Sequence, residues 1–111
     1  MSEPETIELL QFCATNNTPE FNRNKAMEEA TEFNEAVLKY ETKHPDNPKR
    51  PPREEILKEY GDFLYRGHIL LIQLFPELSS DDIVQNIMGH VKMKLNKLSD
   101  YKKEGKYTKG L

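Results

Sequence analysis

The chain has 111 residues, of which 36% are hydrophobic and 32% charged, with one cysteine and a formal net charge of −3. This length suits one domain with a modest core and argues against two independent domains. The single cysteine, Cys13, excludes an intrachain disulfide and a zinc site built from cysteines, and the acidic balance argues against a nucleic-acid partner.

Membrane insertion and secretion are not expected. The apolar segments are too short to span a bilayer, and the acidic sequence MSEPETIE lacks the basic and then apolar order of a secretory signal. We therefore expect a soluble, cytoplasmic protein. The low apolar fraction also favours self-association, because a second subunit can share the apolar surface.

The N-terminal part of the chain predicts two helices. Ser2 has the character of a capping residue for a short first helix that ends near Thr15. The turn-forming sequence Asn-Asn-Thr-Pro then leads to a second helix, which begins at Pro19 or Asn22 and ends at Glu41.

The remainder of the chain predicts two more helices. Four prolines within residues 44–52 forbid a helix there and favour an extended loop. A third helix is expected over residues 53–75, and its nearly continuous apolar surface indicates a central position or a contact with another subunit. Ser79 or Ser80 caps a fourth helix. Residues 99–111 are rich in lysine and predict a basic tail outside the packed core. An all-α fold follows.

Two pairs of acidic residues lie on the two long helices. Glu29 and Glu32 are three residues apart, as are Glu59 and Asp62, and 26 residues separate the pairs. Residues three apart lie side by side on a helix, so two antiparallel helices can bring both pairs together. Such a group of carboxylate oxygens suits Mg²⁺.

The helical periodicity distinguishes these acids from others with the same common spacing. The apolar stripe of the second helix consists of Ala26, Ala30, Phe33, Val37 and Tyr40. Glu29 falls at the edge of this stripe, where a carboxylate needs a partner or a metal ion, whereas Glu28 and Glu35 point away. The alternative is that Glu29, Glu32, Glu59 and Asp62 are surface acids that merely stabilise their helices.

The acidic segments resemble a known signature. The sequences EEATE at 28–32 and EYGD at 59–62 resemble the EExxE…ExxD motif of the MazG-type all-α nucleoside triphosphate pyrophosphohydrolases, relatives of phosphoribosyl-ATP pyrophosphohydrolase and the dimeric dUTPases. The resemblance implies a single MazG-like domain, 1–111, with a four-helix bundle-like core at about residues 22–98, in a homodimer or homotetramer. It also implies that Mg²⁺, or Mn²⁺ in its place, supports hydrolysis of a nucleoside triphosphate to monophosphate and pyrophosphate.

The same resemblance assigns roles to individual residues. Glu29, Glu32, Glu59 and Asp62 match the metal ligands of the family, through which catalysis proceeds, and Glu28 is an adjoining acid.

Lysines of the fourth helix are candidates for binding the substrate phosphates. Lys94 projects into the apolar stripe of that helix, and Lys97 follows one turn later. Lysine suits phosphate as a point charge. The alternative for Lys94 is a side chain that packs its stem on apolar surface and extends its charge to water.

A function of another class is also compatible with the sequence. In this interpretation the chain is a non-catalytic helical homo-oligomeric interaction module, the apolar third helix forms the contact between subunits, and the acids maintain solubility.

Overall fold

The structure, a computed structural model, describes residues 2–106, and the regular secondary structure in this range is helical. The helices are α1 (Glu3–Thr15), α2 (Pro19–Thr42), α3 (Arg53–Leu74) and α4 (Ser80–Glu104). The all-α prediction is therefore confirmed. The chain divides after Pro76 into two compact units, one that holds α1, α2 and α3 and one that holds α4.

The core of the first unit forms around α3, which packs against both α1 and α2. Ile69 and Ile72 of α3 are buried, as are Ala14 of α1 and Ala26 and Ala36 of α2. Alanines at these positions let the helix backbones approach closely, while the isoleucines supply most of the buried apolar volume. The central position expected for the third helix is confirmed within this unit.

Local signals define where α1 and α2 begin. The Ser2 hydroxyl accepts the backbone N–H of Glu5 at 3.3 Å, and the Thr18 hydroxyl accepts that of Phe21 at 3.1 Å. Each helix also has proline in its first turn, where the missing N–H has no intrahelical partner in any case. These caps explain why α2 begins at Pro19, the earlier of the two expected positions.

The proline-rich segment that connects α2 to α3 is folded back in turns, so the expected extended loop was wrong. The Asn47 N–H donates to the His44 carbonyl at 2.9 Å, and the Arg50 N–H donates to the Asn47 carbonyl at 3.0 Å. The Arg50 guanidinium lies 3.9 Å from the centre of the Tyr40 ring, and its Nε donates to the Tyr40 carbonyl. These contacts attach the loop to the end of α2.

The second unit is a long helix with strong signals at both ends. A capping box at Ser79 and Asp82 begins α4, and Gly105, with φ +69°, ends it in the left-handed conformation. Residues 99–104 of the expected basic tail continue α4 as helix, and all of them except Tyr101 are exposed. Lys102 and Lys103 favour this extension because cations stabilise the last turn of a helix. Residues 107–111 of the expected tail lie outside the described residues.

Within residues 2–106, no helix has both the length and the apolar character needed to cross a membrane.

Candidate metal centre

Three of the four acids singled out in the sequence converge at the contact between α2 and α3. Glu29, Glu59 and Asp62 each offer one carboxylate oxygen, and the three oxygens lie within 4.8 Å of one another. We call these residues the carboxylate triad. Because Glu29 belongs to α2 and the other two belong to α3, the triad forms only when the two helices pack in their native register.

The triad contains oxygen atoms that are buried without a hydrogen-bond partner. Oε2 of Glu29 and Oε2 of Glu59 are both inaccessible to solvent and unpaired. The Glu59 side chain is only 12% exposed, whereas that of Asp62 is 43% exposed. Leaving a carboxylate oxygen buried and unpaired is unfavourable, and a cation bound between the acids would relieve it. The residues present therefore fit a hard divalent ion with oxygen ligands.

Glu32 lies beside the triad rather than within it. It is exposed, and its pKa is raised above the usual value, first by repulsion from the Glu29 carboxylate and then by desolvation, a hydrogen bond to Glu29 and the charges of Glu59 and Glu28. Glu32 is therefore a second acid of α2 close to the triad. The sequence predicted that all four acids lie together. The structure brings Glu29, Glu59 and Asp62 into one group and leaves Glu32 at its border.

A lysine next to the triad neutralises part of its charge. Lys58 Nζ donates to Oδ2 of Asp62 at 3.3 Å and lies 3.7 Å from Oε1 of Glu59. The hydrogen bond to Asp62 and the charges of Asp62 and Glu59 raise the pKa of Lys58 above its usual value. The acids therefore have one cation beside them that belongs to the same helix as Glu59 and Asp62.

Aromatic and amide side chains hold α2 and α3 in the register that forms the triad. The Phe33 and Tyr60 rings pack with their centres 5.2 Å apart, next to the acids on each helix. Near one end of the helix pair, the buried Asn22 donates to Oε1 of Gln73 at 2.7 Å, and Nε2 of Gln73 donates to the Asn17 carbonyl at 2.6 Å. A slip of one helical turn would separate all of these partners.

The lysines predicted to bind phosphate lie on α4, in the second unit. Lys94 is half-buried and Lys97 is exposed. The partial burial of Lys94 agrees with either interpretation of this residue, because a long side chain can pack its stem while its charge stays in water. Phosphate binding by Lys94 and Lys97 stays a prediction.

Three comparisons with known proteins provide no relative on which to base the function. No family model matches the chain, and no match is found among curated proteins or among solved structures. The functional argument therefore depends on the residues and their geometry.

The sequence analysis missed residues that complete the site. Lys58 carried a usable signal, since it lies four residues before Asp62 and one before Glu59, where helical geometry favours an ion pair. Asn22 and Gln73 carried no such signal in the sequence, because 50 residues separate them and their pairing depends on how the helices pack.

Proposed function

We propose that this chain is a magnesium-dependent nucleoside triphosphate pyrophosphohydrolase, which releases a nucleoside monophosphate and pyrophosphate. The observation that carries the proposal is the carboxylate triad, in which two helices present three acids with two buried and unpaired oxygens. The resemblance of EEATE and EYGD to the pyrophosphohydrolase signature specifies the reaction. Mn²⁺ is the expected substitute for Mg²⁺.

The residues of the site suit a reaction that depends on positioning and charge. Glu29, Glu59 and Asp62 would hold the ion, and Glu32 at the border adds a fourth negative charge to the same region. Mg²⁺, when bound, neutralises triphosphate charge and makes a coordinated water more acidic. Packing of Phe33 against Tyr60 keeps the acids of the two helices in place, which is the pre-organisation that such chemistry needs.

The direct test is an assay for pyrophosphate release. The protein is incubated with Mg²⁺ and a panel of canonical and damaged nucleoside triphosphates, and the assay is repeated with Glu59→Gln and Asp62→Asn. We expect both variants to lose activity by about a hundredfold or more, because even outer-shell partners of a metal site contribute about ten- to a hundredfold. Glu35→Gln is the matched control, since Glu35 is an exposed acid of α2 outside the triad.

Two results would contradict the proposal. One is the absence of pyrophosphate release from every triphosphate of the panel. The other is equal activity of the unsubstituted protein and both triad variants, which would show that the hydrolysis comes from elsewhere or from a contaminant.

A non-catalytic homo-oligomeric module is the second candidate function, and exposed apolar side chains favour it. Leu57 is 71% exposed, and Leu38 and Leu64 are also well exposed. We expect a second copy of the chain to cover this surface. The contact would form the homodimer or homotetramer of the enzyme, or it would itself be the function of a non-catalytic module. Light scattering combined with size-exclusion chromatography measures the oligomeric state.

A thermal melt distinguishes the enzyme from the module. An ion that binds only the folded state raises the unfolding midpoint. For the enzyme we expect millimolar Mg²⁺ or Mn²⁺ to raise the midpoint and EDTA to reverse the change, with no such response in Asp62→Asn. An unchanged midpoint with and without nucleotide would favour the module.

A further inference from the structure

Lys58 occupies a position that the proposed function leaves unexplained. Its ammonium contacts Oδ2 of Asp62 and Oε1 of Glu59, whereas Oε2 of Glu29 and Oε2 of Glu59 remain buried and unpaired. The lysine therefore pairs with two members of the triad without satisfying the buried oxygens. Its side chain is 62% exposed, so it is free to adopt other rotamers in solvent.

A divalent ion and the Lys58 ammonium compete for the same carboxylates. Both cations are attracted to Glu59 and Asp62, and they repel each other at such short distances. An ion that binds the triad would therefore displace the ammonium from Asp62. The backbone of Lys58 lies in α3, one residue before Glu59, so the displaced ammonium remains within reach of the site.

We propose that Lys58 balances the charge of the carboxylate triad in the metal-free protein and binds phosphate oxygens of the substrate once a divalent ion has displaced it. This inference rests on the proposed function and adds a substrate-binding residue from α3 to it. A lysine is suited to both roles, because it is a compact charge on a flexible stem with three donors. The substrate it would recognise is a metal-bound polyphosphate.

The two roles predict opposite effects when the charge of Lys58 is removed. In Lys58→Gln, loss of the competing cation should tighten Mn²⁺ binding, by about threefold to tenfold. The same change should weaken binding of inorganic tripolyphosphate in the presence of saturating Mg²⁺ by about tenfold, the usual contribution of a charge-assisted contact. Isothermal titration calorimetry measures both affinities on the full chain without requiring turnover.

Two further variants make the experiment specific. Lys25→Gln removes the same charge from a partly exposed lysine of α2 that pairs with Glu28, outside the triad, and should leave both affinities close to those of the unsubstituted protein. Lys58→Arg keeps the charge and should bind Mn²⁺ and tripolyphosphate more like the unsubstituted protein. Circular dichroism confirms that each variant is folded.

The outcomes separate this inference from the proposed function. If the unsubstituted protein binds no Mn²⁺, the metal site itself is absent and both proposals fail. If it binds Mn²⁺ but Lys58→Gln behaves as Lys25→Gln does, or shifts both affinities in the same direction, only the role of Lys58 is overturned. Tighter Mn²⁺ binding together with weaker tripolyphosphate binding supports the role of Lys58.

Discussion

The α2–α3 pair and α4 are both long and highly charged, yet different interactions define them. The pair is joined by buried contacts between helices, and these contacts assemble acids from two distant segments into one triad. Along α4, the exposed apolar side chains include Val84, Ile87, Met88, Val91, Met93, Leu95 and Leu98. Its helical state is encoded locally, by a capping box at one end and Gly105 at the other. The site thus depends on packing between helices, whereas the two ends of α4 are set by signals within its own sequence.

The largest expected difference concerns equivalent apolar truncations in the two regions. Ile69 of α3 is 0% exposed, so Ile69→Ala should lower the free energy of unfolding by about 2 to 5 kcal/mol through lost burial and a residual cavity. Val91 of α4 is 40% exposed, and Val91→Ala should change it by no more than about 0.5 kcal/mol. Urea unfolding followed by circular dichroism measures both.

A large effect of Val91→Ala would alter the comparison. It would show that the apolar face of α4 is covered in solution, and a dependence of the unfolding midpoint on protein concentration would then identify a second copy as the cover.

The amide pair of α2 and α3 tests whether the register of the triad depends on buried polar contacts. Asn22→Leu leaves Oε1 of Gln73 without its donor and should cost about 1 to 3 kcal/mol of unfolding free energy. The double variant Asn22→Leu/Gln73→Leu should cost less than the sum of the two single changes, because residues that share a hydrogen bond are coupled. Strictly additive costs in urea unfolding would argue that the two amides stabilise the fold independently.

The start of α4 tests the local side of the comparison. Ser79→Ala removes the hydroxyl that accepts the Asp82 N–H at 3.0 Å, and it should cost about 1 kcal/mol of helix stability. Hydrogen exchange of the first turns of α4 detects this change. Ser99→Ala, at an exposed position within the same helix, is the matched control and should leave exchange there unchanged. Equal behaviour of the two variants would show that α4 does not depend on its cap.

The smallest expected effect is a pH-dependent change in stability at the border of the triad. The pKa of Glu32 is raised from its usual 4.5 in the folded chain, so the folded state binds this proton more tightly than the unfolded state. Charged Glu32 therefore opposes folding at neutral pH, and the penalty disappears as the pH falls through the raised pKa toward 4.5. In EDTA, Glu32→Gln should raise the melting midpoint near pH 7 and leave it unchanged below pH 4.5.

The matched control for this prediction is Glu35→Gln, an exposed acid on the same helix. If both variants raise the midpoint equally at neutral pH, the effect reflects the overall negative charge of α2 rather than repulsion within the site.

Much of the secondary structure was predictable because its signals are local. Ser2, Thr18 and Ser79 cap their helices through neighbouring N–H groups, and the prolines after His44 prevent α2 from continuing. The end of α4 is also encoded locally, but it was not predicted. Gly105 is a local stop signal that the sequence analysis did not use, and the scarcity of apolar residues after Ser99 was given too much weight.

By itself, the sequence determined that the chain is helical, where the helices begin and which acids share a helix face, because these properties depend on residues within a turn or two of one another. Only the tertiary structure decided that Glu29 meets Glu59 and Asp62 while Glu32 lies at their border, and that Asn22 pairs with Gln73. Those contacts depend on the register in which α2 and α3 pack. Register is a property of two buried surfaces together, and no single segment contains it.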